Sequence, residues 1–256
     1  MLIIAIVPIV VCIWVALRKK YSFLASVQLS CLGCALFMLI VLGWVYLATG
    51  KDIVTVYLDM VKQTLLQNEP FTRSLYNTLL GMSGTAANSQ ISLTDAVNAV
   101  YPYFEDAFRY SIPAVCAAFI PVGGLVFFLL ARAVAKKAGA PVTPVPAFSE
   151  FKLPPKFGRW SIAIIVVCWI GQLAGWRNFD FVFAIAFAFF GSIYYILGLA
   201  FTEWLFKKQI KSAFTRFLII ALVAILIWQL YIFVFIGILE QIVKIRQRYD
   251  ANKGSL

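Results

Sequence analysis

The sequence contains no histidine, which removes both the commonest metal ligand and the commonest neutral-pH general base. Zinc-protease and Ser-His hydrolase chemistry are excluded with it, and no metal, cofactor or catalytic residue is expected. Charge is also scarce. Only 13% of the 256 residues are charged against 62% hydrophobic, a balance that no ordinary soluble fold shows. Acids are scarcest, 11 against 22 lysines and arginines. Asp180, Glu203 and Glu240 sit at the ends of apolar runs, so no carboxylate pair is placed in mid-membrane to share acid and base roles, and the chain does not read as an enzyme. A disulfide framework is missing too. Cys12, Cys31, Cys34, Cys116 and Cys168 all lie inside apolar runs, where a thiol packs as a small hydrophobe, and the C-x-x-C at 31–34 lacks the βαβ context of a redox motif. There is no G-x-x-x-x-G-K-[ST], so any ATP energy would come from a partner.

What is present is a series of long apolar runs. A hydrocarbon core of ~30 Å needs about 20 helical residues. That ruler predicts an all-α integral membrane protein, a single polytopic domain over 1–256 with about six transmembrane helices. They fall at 1–17, 23–48, 110–131, 160–176, 181–201 and 217–239. The first ends in Arg18-Lys19-Lys20 and lacks the basic start and cleavage site of a signal peptide. Cations gather in short clusters at the ends of runs, which fits retention on the cytoplasmic side and argues against nucleic acid.

In the second span Ser22, Ser26, Ser30 and Cys34 recur every four residues, and Ser26 and Ser30 mark a helix-packing stripe. Residues 49–109 form an extramembrane amphipathic segment between spans two and three. Val54, Tyr57, Leu58, Val61 and Leu65 share one face of its first helix, which Pro70 interrupts. A turn is expected at Gly81-Met-Ser-Gly84, and Ser92-Leu-Thr-Asp95 opens a second helix as a capping box. Such helices lie on the membrane surface or pack against the protein's own spans.

Pro113, Pro121 and Gly123-Gly124 loosen the third span, as in broken transporter helices. The basic loop at 132–159 follows, carrying Arg132, Lys136, Lys137, Lys152, Lys156 and Arg159 against Glu150. It is expected to be cytoplasmic, with Pro141, Pro144 and Pro146 as an extended strut. Gly171 and Gly175 form a G-x-x-x-G in the fourth span, a sign of tight helix packing. At mid-depth Ser192, Tyr194 and Tyr195 in the fifth span and Trp228 and Gln229 in the sixth are the candidate ligand-binding residues. A buried amide needs a partner, either a ligand or another helix. Six crossings leave the tail cations Lys244, Arg246, Arg248 and Lys253 opposite the basic loops, against the charge rule.

Leu130-Ala-Arg132, then Ala140-Pro-Val-Thr-Pro-Val-Pro-Ala-Phe148, then Lys152-Leu-Pro-Pro155, with Gly237-Ile-Leu-Glu240 and Lys244-Ile-Arg246 closing the last span, resemble the YybS-like family of uncharacterised bacterial polytopic membrane proteins. That family is in turn similar to the substrate-binding subunits of energy-coupling-factor vitamin transporters. The resemblance implies a multi-pass protein of the bacterial plasma membrane that holds a small molecule among six helices and docks on a transmembrane coupling protein with ATPases. The Ala-x-x-x-Ala docking repeat that many such subunits carry on their first helix is replaced by Pro8, Cys12 and Ala16. Two functions follow: a small-molecule-binding transport subunit, or a non-transporting membrane scaffold or assembly factor whose outer segment and basic loop dock partners or anionic lipid.

Overall fold

The computed structural model describes residues 2–82, 91–227 and 231–253, and every regular element among them is helical. In chain order these are α1 (Leu2–Arg18), α2 (Phe23–Thr49), α3 (Ile53–Gln67), α4 (Glu69–Met82), α5 (Leu93–Lys137), a 3-10 turn at Phe148–Glu150, α6 (Pro155–Leu173), α7 (Phe179–Phe206), α8 (Ala213–Ile227), α9 (Ile232–Val243) and α10 (Ile245–Lys253). Helices α2, α5, α6 and α7 are long and apolar enough to cross a membrane, and α1, α8 and α9 are shorter apolar helices. The all-α membrane architecture read from the apolar runs is the one observed. Many large side chains along the spans remain exposed, among them Leu39, Leu47, Val115 and Leu173. In a membrane helix such faces meet lipid.

The chain divides into two compact units, Met1–Phe37 with Ala114–Leu256, and Met38–Pro113. In the second unit α3 is opened by Asp52, whose Oδ1 accepts from the backbone N–H of Val54 and Thr55 while Oδ2 accepts from the Thr55 hydroxyl. These contacts hold the Asp52 carboxyl below its usual range, the Thr55 hydroxyl contributing most. Asp52 thus satisfies two of the helix's orphan donors. The break expected at Pro70 is present: α3 ends at Gln67, α4 begins at Glu69, and proline sits in the first turn, where a missing N–H costs nothing. Ser92 caps the next helix as expected, the Asp95 N–H donating to its Oγ, while its hydroxyl donates to Asp95 Oδ2. Leu65, Val97 and Val100 are buried together, with Val61, Leu75, Tyr76, Leu79, Leu93 and Phe104 around them. The amphipathic faces therefore meet one another. Gly81 and Met82 belong to α4, and Ser83 and Gly84 of the expected turn lie outside the described residues.

The capping-box helix and the third span, expected as separate elements, are one helix. Its 45 residues make about 68 Å, more than twice the ~30 Å of hydrocarbon. Pro102, Pro113 and Pro121 lie inside it. A proline's fixed φ is helical, so a long helix continues through it at the loss of one N–H bond each time.

In the first unit α1 packs on α2 through Ile9, Ile13 and Cys34, with Leu17, Phe37, Phe119 and Ala131 around them. Ser26 and Ser30 are buried, and their hydroxyls donate to the carbonyls of Tyr21 and Ser26. With its polar groups satisfied locally, the stripe leaves a narrow surface that another helix can approach.

The single sixth span expected over 217–239 is two helices. α8 and α9, at 15 and 12 residues, are about 22 and 18 Å long, each short of a full crossing. α9 and α10 run in the same direction as α7, because Tyr231 meets Phe187 near one end (ring centroids 5.4 Å apart) and Tyr249 meets Trp204 at the other (5.5 Å). The start of α8 is held at the same end of α7, where Arg216 Nε donates to Glu203 Oε1 at 2.9 Å. The chain that leaves α7 therefore comes back to that end, and the tail cations rejoin the basic loop.

Candidate functional site

The loop between α5 and α6 is fixed at three points. Arg132 on α5 donates through Nε to the carbonyl of Thr143 at 2.9 Å, and the Thr143 hydroxyl donates to the carbonyl of Tyr21 at 3.0 Å. The third point is Arg246. Its Nη1 donates to the carbonyl of Ser149 at 2.8 Å and its Nη2 to that of Phe151 at 3.0 Å, while Nε donates to Glu240 Oε1 at 2.8 Å. Glu240 also accepts from the backbone N–H of Ile245 and Arg246, so one carboxylate caps α10 and neutralises the guanidinium. Arg246 is 2% exposed and Glu240 7%. A buried charge pair of this kind is stable only with further hydrogen bonds, and here each guanidinium nitrogen donates one while the carboxylate accepts from two backbone N–H groups as well.

Local backbone geometry makes the clasp possible. Lys244 adopts a left-handed conformation, φ 55°, which ends α9 and turns the chain so that α10 begins one residue later. Phe148 and Phe151 pack edge to face at 5.3 Å, and Phe151 lies 4.9 Å from Phe23 at the start of α2.

Beneath this loop lies a cavity of about 240 Å³. Leu24, Val27 and Cys31 of α2, Pro121 and Leu125 of α5, and Ile193, Ile196 and Leu197 of α7 form its apolar walls; Pro146 and residues 150–154 form its roof. Its polar groups are few: Gln28, Glu150 and Lys152. An apolar chamber with a small number of polar groups at one side is how proteins bind small molecules. It admits compact ligands, being somewhat below the ~300–1,000 Å³ usual for drug-sized ones.

Ser192, Tyr194 and Tyr195, expected from sequence as ligand-binding residues, are not among those that line this chamber. Tyr194 is fully buried, and its hydroxyl donates to the Gly158 carbonyl at 3.0 Å and lies 2.6 Å from Ser161 Oγ, joining α7 to the start of α6. The Ser192 hydroxyl donates to the carbonyl of Phe189 in its own helix, and Tyr195 packs edge to face on Phe233 at 5.5 Å. Trp228 and Gln229 lie outside the described residues. Of the G-x-x-x-G pair, Gly171 faces the Phe179 ring so closely that a Cβ would overlap it, whereas Gly175 has open space around it and φ 67°, the left-handed turn that ends α6. The tightest helix approach is elsewhere. A Cβ on Gly198 would strike the carbonyl of Phe233 and one on Gly237 that of Tyr194, so α7 and α9 touch backbone to backbone.

From sequence, Gln28 lies near the cytoplasmic end of the second span, where solvation or an interhelical hydrogen bond is favoured over a ligand contact, and nothing there marks the Glu240–Arg246 pair. Gln28 stands two positions from the serine stripe, and that offset was its only signal. The pair is six residues apart, outside helical i,i+4 spacing, and is joined only because Lys244 breaks the helix between them.

Residues 1–240 match the family model DUF2232, described as "Predicted membrane protein", and the chain belongs to that family. No curated protein and no solved structure matches the chain. Family membership places the chain among membrane proteins and brings no activity with it.

Proposed function

We propose that this membrane protein is the small-molecule-binding subunit of a bacterial transport system, of the kind suggested by its resemblance to energy-coupling-factor substrate-binding subunits. A separate transmembrane coupling protein with ATPases would supply the energy. The observation that carries this reading is the chamber of about 240 Å³ walled by α2, α5 and α7 beneath the clasped loop. Its walls favour an uncharged or weakly charged ligand with a compact apolar body, and Gln28 offers such a ligand both a donor and an acceptor. The clasp gives the roof a fixed geometry, which reduces the ordering cost of binding.

The test is native mass spectrometry of protein extracted in mild detergent, on wild type, Ile193→Trp and Gln229→Leu. Ile193→Trp fills the chamber from a partly buried position, so it blocks a ligand without emptying the core. A small molecule present in wild type and absent from Ile193→Trp at equal thermal stability supports the reading. A ligand lost only from Gln229→Leu would move the site away from this chamber. No ligand in any sample, with a copurifying partner protein, would favour the scaffold or assembly role.

A further inference from the structure

A second cavity, of about 280 Å³, opens beside the clasp. It is lined by Ser149, Glu150 and Lys152 of the loop, Trp204, Lys207 and Lys208 at the end of α7, and Arg246. Its character is the opposite of the first. Arg246 directs one N–H from each of its three nitrogens to Glu240 and the loop carbonyls, and the side chain forms part of the wall. Lys152, Lys207 and Lys208 are exposed, and among the described residues none of them forms an ion pair. Three lysines that form no ion pair among the described residues thus line one cavity against the single carboxylate of Glu150. Gathering like charges is unfavourable unless an anion completes the cluster.

The Lys208 ammonium is also held in place. It lies 3.5 Å from the centre of the Trp204 ring and 3.4 Å from that of Tyr249, and those two rings meet edge to face. Lysines that merely offset the negative end of a helix point along its last carbonyls. Lys208 sits instead in an aromatic cleft at the cavity's edge, and Trp204 is the residue type that anchors a span at the level of lipid headgroups.

We infer that this cavity binds a phosphate-type anion, with Lys152, Lys207 and Lys208 contacting its oxygens and the Ser149 hydroxyl available as a further donor. The anion is a phosphate carried on a membrane lipid or a soluble phosphate ester. Both present the same compact, multiply charged group, for which lysine is a point-charge partner.

The experiment uses the full chain in two settings. In nanodiscs of phosphatidylcholine containing a minor share of phosphatidylglycerol, native mass spectrometry counts the phosphatidylglycerol retained. In neutral detergent, thermal stability is followed against added inorganic phosphate, with chloride at matched ionic strength. Wild type is compared with Lys207→Gln/Lys208→Gln and with Lys136→Gln/Lys137→Gln, which removes the same charge away from the cavity. Each lysine near an anionic surface contributes on the order of fivefold, so the first double variant should lose about twentyfold in retention or in apparent phosphate affinity, and the second should match wild type. Selective retention of phosphatidylglycerol with no phosphate effect identifies the lipid as the source; a phosphate effect without lipid retention identifies a soluble anion. Equal losses in both double variants, or no binding in either setting, would overturn the inference.

Discussion

The Arg246 guanidinium and the Ser149 carbonyl, 97 residues apart in the chain, are joined by a hydrogen bond of 2.8 Å. Through it the last helix holds the roof of the apolar chamber. Arg246→Ala leaves the Glu240 carboxylate buried without its cation, and breaking a buried pair from one side costs ~3–5 kcal/mol. Arg246→Lys should fail almost as badly, because one ammonium cannot serve three acceptors set out for a planar fork. Glu240→Gln/Arg246→Met removes both charges and should recover much of the loss. Thermal unfolding in detergent reads all three variants, and an Arg246→Ala protein as stable as wild type would mean that the clasp does not hold the roof.

Gly198 and Gly237 set the distance between α7 and α9, since each faces a carbonyl of the opposite backbone. Gly198→Ala must separate the helices or strain them, an overpacking cost of about 1–3 kcal/mol. For Gly171→Ala the nearest atoms are those of the Phe179 ring, part of a side chain that can move, and the change should cost less. Gly175→Ala has room but must adopt φ 67°, which for an L residue costs on the order of 1 kcal/mol. Unfolding temperatures ranked Gly198→Ala lowest would agree; equal values for Gly198→Ala and Gly171→Ala would show that α7 and α9 separate freely.

Local signals in the sequence were legible and distant ones were not. The apolar runs marked where membrane helices form, Pro70 marked the break between α3 and α4, and Ser92 marked a helix start. Each depends on residues within a turn of one another. The continuity of α5 was hidden because a proline inside a helix and a proline ending one look alike in sequence, and only packing decides. The split of the last apolar run into α8 and α9 was hidden because the run carries no proline or glycine near its middle, while Tyr231 takes a left-handed backbone conformation, φ 51°. Both cavities are assembled from α7 and the loop with other elements, and no spacing rule reaches that far.

Asp52 predicts a pH response confined to one helix end. Its carboxyl is held below the usual range by the Thr55 hydroxyl and by the backbone N–H groups of Thr55 and Val54. A carboxyl lowered in the folded state stabilises above its unfolded pKa, near 3.9, and that contribution is lost as pH falls through the lower folded value. The first turn of α3 should therefore lose hydrogen-exchange protection below about pH 4, while the rest of the helix keeps it. Asp52→Asn retains an acceptor for the cap and should remove the pH dependence; Asp52→Ala should weaken the turn by about 1 kcal/mol at neutral pH. Identical pH profiles for wild type and Asp52→Asn would sink the assignment.

The return of the chain through α8 and α9 makes a prediction about sidedness. A single crossing after α7 would put Arg248 on the opposite face from the basic loop. Instead Arg216 bonds Glu203 at the end of α7, and Arg246 bonds the loop carbonyls beside that same end. The tail cations therefore share a side with Arg132 to Arg159, and this removes the conflict between charge and crossing number, since cationic flanks are kept in the cytoplasm. With Cys12, Cys31, Cys34, Cys116 and Cys168 replaced, single cysteines at the exposed positions Ala140 and Arg248 provide the measurement. Both should resist an impermeant thiol reagent in intact cells and react once the membrane is opened. Labelling of Arg248→Cys from outside while Ala140→Cys stays protected would require α8 and α9 to cross as one span, and the clasp between Arg246 and the loop could not then exist.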